Sequence, residues 1–560
     1  MHEPLRSRAR KGFAVLRLLV GISGCVVSLF AHGRALAQPS RVGPEAGEDG
    51  ELRFNYSGYL RAPMRVGLGA KDEVRAEGDE ARTTFHVPVI PDDQYINWQH
   101  TRHNERDWAE MFFSVGNASV AATVGVSAFN FTDSAWKESD AQFGIALGWV
   151  TLTPELPWEG VELSAKLGSH WNRYGMAGRY DAGEYDTYLF GRTHALGETA
   201  RLYFELGDVG FFVEEGIGVK RPNPAVTNRA RFTVLAHGHA GVSFGESLSL
   251  GAHYLTSWAR EESRDLGPDA PPAGTIVFNS PVPDGRLSVW GGELEWQAGP
   301  FGRLYAGFSQ ILARHAFTVA PAIEVLHAFG GGEFHLGVVD QYLEAPLSPR
   351  GDVTGIQDCH NDDVWNTPGC SRGNGTVNTL AWQYEASLRD VIDAVSGSSS
   401  LMGSTDLRTK LYGMINFVAS DTTLVPSYSS YARLKFGADF ELRPWQALGF
   451  GLRADRVQPH DEIPEQSFSV VSPRIVLRTA LASQETVTLQ YSRYLYAARE
   501  CPAGSPLLCV QSPPAGTAPE GFGSAPGVNQ DADTRGAPVT STGTQRPDLN
   551  VVKLEVSMWW

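Results

Sequence analysis

Residues Leu549-Asn550-Val551-Val552-Lys553-Leu554-Glu555-Val556-Ser557-Met558-Trp559-Trp560 read "LNVVKLEVSMWW". In a strand, successive side chains point to opposite faces. Val552, Leu554, Val556, Met558 and Trp560 therefore share one face, and Val551, Lys553, Glu555, Ser557 and Trp559 share the other. Chain ends are usually frayed and solvated, so two indoles here call for a setting that is apolar on one side and polar on the other. An indole is favoured where hydrocarbon meets water. The phase predicts Trp560 facing lipid at a membrane rim and Trp559 pointing the opposite way.

The same period of two recurs upstream. Val161, Leu163, Ala165 and Leu167 alternate with Glu162, Ser164 and Lys166. Leu434, Phe436, Ala438, Phe440 and Leu442 alternate with Arg433, Lys435, Gly437, Asp439 and Glu441. Short polar links join many of these segments: 116–119, 206–209, 245–247, 298–300, 443–446 and 482–484. Links of this length make antiparallel hairpins. Between the hairpins lie long connections, 70–106, 169–199, 259–285, 344–376 and 497–547.

A soluble sandwich or propeller would bury its apolar faces and show blade-like repeats, and no fixed-period repeat is present. Two-faced strands joined by alternating short and long links fit an all-β, transmembrane antiparallel barrel of about 18 strands (16–20), with short periplasmic turns and long extracellular loops. The alternation of links requires Ala322–Phe329 to be a strand and 169–199 to be one loop. Residues 390–409 are then a long connection on the short-turn side.

The first 37 residues stand apart. Arg6, Arg8, Arg10 and Lys11 precede an apolar run over Leu18–Ala31, and Ala35-Leu36-Ala37 has the small-x-small form of a secretory cleavage site. The run is short for a membrane-spanning helix. Ile22-Ser23-Gly24-Cys25 resembles a lipoprotein box, but apolar residues continue past Cys25, which argues against lipidation. The expected organisation is a signal peptide over 1–37, a short linker over 38–51 and the barrel over 52–560.

The formal net charge is −16, and removing the basic leader makes it more negative. That excludes a nucleic-acid binder and mildly favours cations or neutral solutes. In an oxidising compartment Cys359–Cys370 and Cys501–Cys509 are expected as loop disulfides. Their spacings do not suit zinc.

Three stretches carry a family resemblance. The opening "FNYSGYLRAPMRVGLG" (54–69), the closing Trp559-Trp560, and the 160–219 region with its strand, aromatic excursion and tight hairpin resemble sugar-specific porins of the maltoporin type. The resemblance implies an outer-membrane location in a Gram-negative bacterium and a water-filled channel for small hydrophilic solutes, carbohydrates among them. It also implies that the 169–199 loop folds inward. On that loop Trp171, Arg173, Tyr174, Arg179, Tyr180, Asp181, Tyr185 and Tyr188 are the candidate constriction, since aromatic faces stack on sugar rings and charged groups bond hydroxyls. An alternating last strand ending in an aromatic resembles the signal read by the barrel-assembly machinery, with Leu554, Val556, Met558 and Trp560 as its residues. Porins of this size are often homotrimers.

Other sites are weaker. His237, His239 and His253 read as hydrogen-bonding lumen residues in preference to a metal site. His360-Asn361-Asp362-Asp363 lacks calcium-loop spacing. Catalysis is not expected, because no Gly-x-Ser-x-Gly elbow and no compact acid-base set is present, and no cofactor or metal is called for. The alternative function is a structural or adhesive barrel whose extracellular loops bind a ligand, with an outer-membrane enzyme behind it.

Overall fold

The computed structural model describes residues 51–68, 95–96, 108–129, 142–173, 192–220, 230–261, 285–314, 325–327, 332–334, 375–397, 402–420, 430–458, 461, 467–481, 484–496 and 549–560. The leader, the four late cysteines and His360–Asp363 lie outside them.

The strands are β1 (Arg53–Leu68), β2 (Trp108–Gly116), β3 (Val120–Phe129), β4 (Gln142–Leu152), β5 (Val161–Arg173), β6 (Arg192–Leu206) and β7 (Val209–Lys220). They continue with β8 (Ala230–Phe244), β9 (Leu248–Glu261), β10 (Gly285–Gln297), β11 (Arg303–Arg314), β12 (Val325–His327), β13 (Gly332–Phe334) and β14 (Gly375–Ser387). The last six are β15 (Asp406–Ser420), β16 (Ser430–Trp445), β17 (Leu448–Gln458), β18 (Phe468–Thr479), β19 (Gln484–Tyr496) and β20 (Leu549–Trp559). Eighteen of them form one antiparallel sheet in chain order, and β20 returns to pair with β1, closing the barrel. Tyr59 lies opposite Trp559 and Leu68 opposite Asn550, while the first half of β1 pairs with β2.

The polarity is that of a soluble protein turned inside out. Phe54, Tyr56, Met64, Phe143, Ile145, Phe436 and Phe440 are exposed, whereas Arg61, Glu110, Glu214, Lys435, Asp439 and Arg453 are buried. The outward residues of β16 and β17 are Phe436, Phe440, Leu442, Phe450 and Leu452. The interleaved Asp439, Glu441, Arg453 and Asp455 point inward. A closed barrel with an apolar belt and a polar lumen is the architecture of an outer-membrane protein of Gram-negative bacteria, with the short turns on the periplasmic side.

Two expectations are corrected. Of Ala322–Phe329 the structure describes Val325–His327, which pair not with the barrel but with β13 in a separate two-stranded ribbon. The barrel instead goes from β11 directly to β14, and the alternation of link lengths closes without the extra strand. The long connection on the short-turn side is a helix, α1 (Leu388–Ser396). Ser387 Oγ caps it by accepting from Asp390 N at 3.2 Å, and Gly397 ends it at φ 66°. Ser387 Oγ also donates to the buried Asp406 carboxylate at 2.9 Å, which ties the helix to the foot of β15.

The turn expected at 443–446 begins later. β16 runs on to Trp445 through a register shift between Leu442 and Trp445, and Pro444, which has no N–H to donate, sits in that irregularity.

At the seam, Gly58 N donates to Trp560 O at 2.9 Å and Trp560 N donates to Gly58 O at 3.1 Å. The Trp560 ring lies over Gly58 on the face that carries Phe54 and Tyr56; a Cβ at residue 58 would stand 2.3 Å from Trp560 Cζ2. Trp559 points inward, its ring 4.3 Å from the fully buried Tyr59. Gly58→Val should therefore loosen the seam by about 1–3 kcal/mol, the usual cost of overpacking. Urea unfolding of the barrel in lipid vesicles checks this, and the penalty should shrink in a Trp560→Ala background.

Candidate functional site

The lumen face of β14–β18 is a lattice of opposite charges set by register. Glu385 lies opposite Lys410, Lys410 opposite Asp439, and Asp439 opposite Arg453. One row nearer the short turns, Arg408 lies opposite Glu441 and Gly451 opposite Arg474. Opposite charges meet both across strands, where side chains are closest, and two residues apart along one strand, as in Asp406/Arg408, Glu441/Arg443 and Arg453/Asp455. Lys410 Nζ stands 3.3 Å from Glu385, and Arg408 Nε 3.2 Å from Asp406.

Three arginines gather on two carboxylates. Arg474 Nη2 donates to Asp439 at 2.7 Å. Arg443 Nε donates to Glu441 Oε1 at 2.6 Å, and Arg478 Nη2 to Glu441 Oε2 at 3.0 Å. Arg478 Nη1 is 2.7 Å from Glu441 Oε1, an ion pair without hydrogen-bond alignment.

Deeper in, Arg453 holds Asp455 through two bonds of 2.8 and 3.0 Å, both side chains fully buried. Tyr412 donates its hydroxyl to Asp455 at 2.6 Å. Such a pair is balanced only while both partners are present.

One residue comes from outside the strands. Tyr95, in the first long connection, is 5% exposed. Its ring is 5.0 Å from Tyr412, with Arg453 at 4.7 Å and Lys410 at 4.6 Å over its face. Its hydroxyl donates to Asp439 at 2.7 Å. Burial first, then the Asp439 charge, pushes this phenol well above its ordinary range, so it stays a donor.

Below Tyr95 a chamber of about 740 Å³ reaches the short-turn end, where Gly299 and Pro300 of the β10–β11 turn line it. Eight basic side chains against six acidic ones face it, with Tyr59 and Trp559 on the opposing side. The seam aromatics continue into an inner tier of Phe112, Leu147 and Trp149.

The histidines face the lumen on another wall. His239 lies opposite His253 across β8 and β9, and both are buried. His239 Nε2 is 3.3 Å from Glu293, and His237 Nε2 3.7 Å from Glu214. Among the described residues no three ligating side chains gather in a metal-binding arrangement.

The expected 169–199 loop is shorter than its sequence suggests. β5 continues to Arg173 and β6 begins at Arg192, with Trp171 opposite His194 and Arg173 opposite Arg192. His170 bonds Thr199 Oγ1 at 2.9 Å inside the barrel, so the strands run on with polar residues on their inner face. Trp171 and Arg173 are therefore strand residues. Tyr174, Arg179, Tyr180, Asp181, Tyr185 and Tyr188 lie outside the described residues. Tyr95, which reaches the lumen from the first long connection, was not anticipated; its signal is Tyr95-Ile96 within an acidic, proline-containing connection.

No family model and no curated protein matches the chain. Among solved structures it is similar to the outer-membrane channel DcaP of Acinetobacter baumannii (9% identity, TM-score 0.35, 93% of this chain and 100% of that one). It is also similar to an anion-selective porin from Comamonas acidovorans (9%, 0.36, 91% and 100%). OpdK of Pseudomonas aeruginosa, with vanillate, gives 8%, 0.36, 91% and 98%. Likeness at this level carries no argument; the barrel stands on this chain's own strand register.

Truncating Asp455 to Ala leaves Arg453 charged and buried, and should destabilise the barrel by about 3–5 kcal/mol. The Arg453→Met/Asp455→Ala double variant should lose less, read by the same vesicle unfolding assay.

Proposed function

We propose that the protein is an outer-membrane channel through which small hydrophilic solutes diffuse, with Tyr95 and its partners as the constriction. The observation that carries this reading is the chamber of about 740 Å³ lined by charged and polar side chains and walled off from lipid by a closed barrel. Selectivity then follows from width, stacking faces and fixed charges, with no chemical step and no cofactor.

Carbohydrates are the finer form of the proposal. The resemblance of the chain's two ends and the 160–219 region to sugar porins supports it, as does the partly exposed ring of Trp559 on the chamber. Trp171 and Arg173, with Tyr174, Arg179, Tyr180, Asp181, Tyr185 and Tyr188, are proposed to line the solute path above. We also propose that the barrel-assembly machinery reads Leu554, Val556, Met558 and Trp560, that the barrel assembles as a homotrimer, and that Cys359–Cys370 and Cys501–Cys509 tie its loops.

Planar-bilayer recording tests the channel. Purified folded protein should conduct, and Tyr95→Ala should raise single-channel conductance by removing the ring from the lumen. Maltodextrins should block the current in a saturable way. Open current with no block by any sugar removes the carbohydrate form, and no current from folded protein removes the channel.

A further inference from the structure

We infer that the chamber holds an oxyanion subsite on Arg443, Arg474 and Arg478, and that its solutes are small ring compounds bearing a carboxylate or phosphate group. The inference rests on the channel reading for how a solute arrives, and on the arginine geometry for what is held.

Three guanidinium groups share two carboxylates, so the cluster keeps one positive charge in excess. Each guanidinium has five N–H donors in a planar fork. Arg443 spends Nε on Glu441, and Arg474 spends Nη2 on Asp439. Among the described residues, the remaining N–H groups of these two arginines have no protein acceptor. All three arginines line the chamber, with Arg443 and Arg478 side chains 20% and 30% exposed. The fork is therefore presented to solvent inside an enclosure, the setting in which paired N–H groups hold an oxyanion through two bonds.

The backbone underneath is shaped for this. A Cβ on Gly451 would meet Arg474 Nε at 2.7 Å, and one on Gly449 would meet Glu441 Oε1 at 2.5 Å and Arg478 Nη1 at 3.1 Å. Two glycines on one lumen face of β17 let the charged groups lie flat along the wall, which fixes them and leaves the chamber open. A purely structural network calls for matched charges and no spare donors. Trp559, partly exposed on the same chamber, supplies an aromatic surface for the ring of the solute.

The test compares D-glucuronate with D-glucose, which differ by one carboxylate, by calorimetric titration of the full folded barrel in detergent at constant ionic strength. Glucuronate should bind saturably and at least roughly tenfold more tightly than glucose, the scale of one charge-assisted bond. Arg443→Gln, which leaves Arg478 on Glu441, should weaken glucuronate binding about tenfold, and Arg443→Lys should recover part of the loss. Arg474→Gln serves as the second variant, and heat-shifted gel mobility confirms that each is folded. Equal affinity for the two sugars, or glucuronate binding unchanged in both Gln variants, overturns the subsite. Binding without bilayer current removes the channel reading and leaves the subsite standing; current without binding does the reverse.

Discussion

Everything in this molecule depends on the hydrogen bonds between β1 and β20. In hydrocarbon no water is present to satisfy an unpaired N–H or C=O, so a sheet survives there only without edges. The pairing that removes the last edge joins residues almost 500 positions apart: Tyr59 opposite Trp559, Gly58 bonded both ways to Trp560. A contact this distant carries a large loop-closure cost before it returns any stability. That explains the packing at the seam. The Trp560 ring seats on Gly58 outside and Trp559 stacks on Tyr59 inside, so both faces of the last residue pair contribute at the point of closure.

Closure also dictates where the charges go. With most apolar faces given to lipid, the inward face outside the Tyr59, Phe112, Leu147 and Trp149 tier is largely polar, and its groups must satisfy each other. Acids of β14 and β16 meet bases of β15, β17 and β18 across strand boundaries, and Asp406, Glu441 and Asp455 also meet a base two residues away on their own strand. The glycines of this wall are part of the same solution. Tyr412 lies across Gly437, where a Cβ would stand 2.3 Å from its hydroxyl, and this lets the tyrosine reach Asp455. The electrostatic lattice and the pattern of missing side chains are one design.

The period of two was legible because lipid demands it of every spanning strand, and the short turns were legible because Asn117, Gly207, Gly245 and Gly299 mark them. The opposite faces of Trp559 and Trp560 follow from the same period and from nothing else. What escaped was structure that lipid does not constrain. β5 and β6 run on past the apolar belt with inner faces such as His170 and Thr199, and polar residues on a strand read as loop. Ala322–Phe329 was needed as a strand only to keep the alternation of links, yet its described residues, Val325–His327, pair within a local ribbon and the alternation closes without them. Helix α1 hid because nine residues between Ser387 and Gly397 carry a helical signal too brief to stand against eighteen strands. Tyr95 escaped for a different reason: its place is set by Asp439, Arg453 and Tyr412, all more than 300 residues away, and no local pattern encodes such a contact.

Net charge and lumen charge are set by different residues. At −16 the chain favours cations on composition alone, but composition sums over groups that never share a field. Many acids sit in the connections: Asp72, Glu73, Glu77, Asp79, Glu80, Asp92 and Asp93 in the first, Asp362 and Asp363 beside Cys359. A charge in bulk electrolyte is screened within about 8–10 Å, so a charge acts on a solute only from nearby. The chamber is lined by eight bases and six acids, and low-dielectric walls preserve that small surplus where it acts on a solute. Strand register places Arg443, Arg474 and Arg478 around two carboxylates, so the formal charge lining this chamber is opposite in sign to that of the chain as a whole.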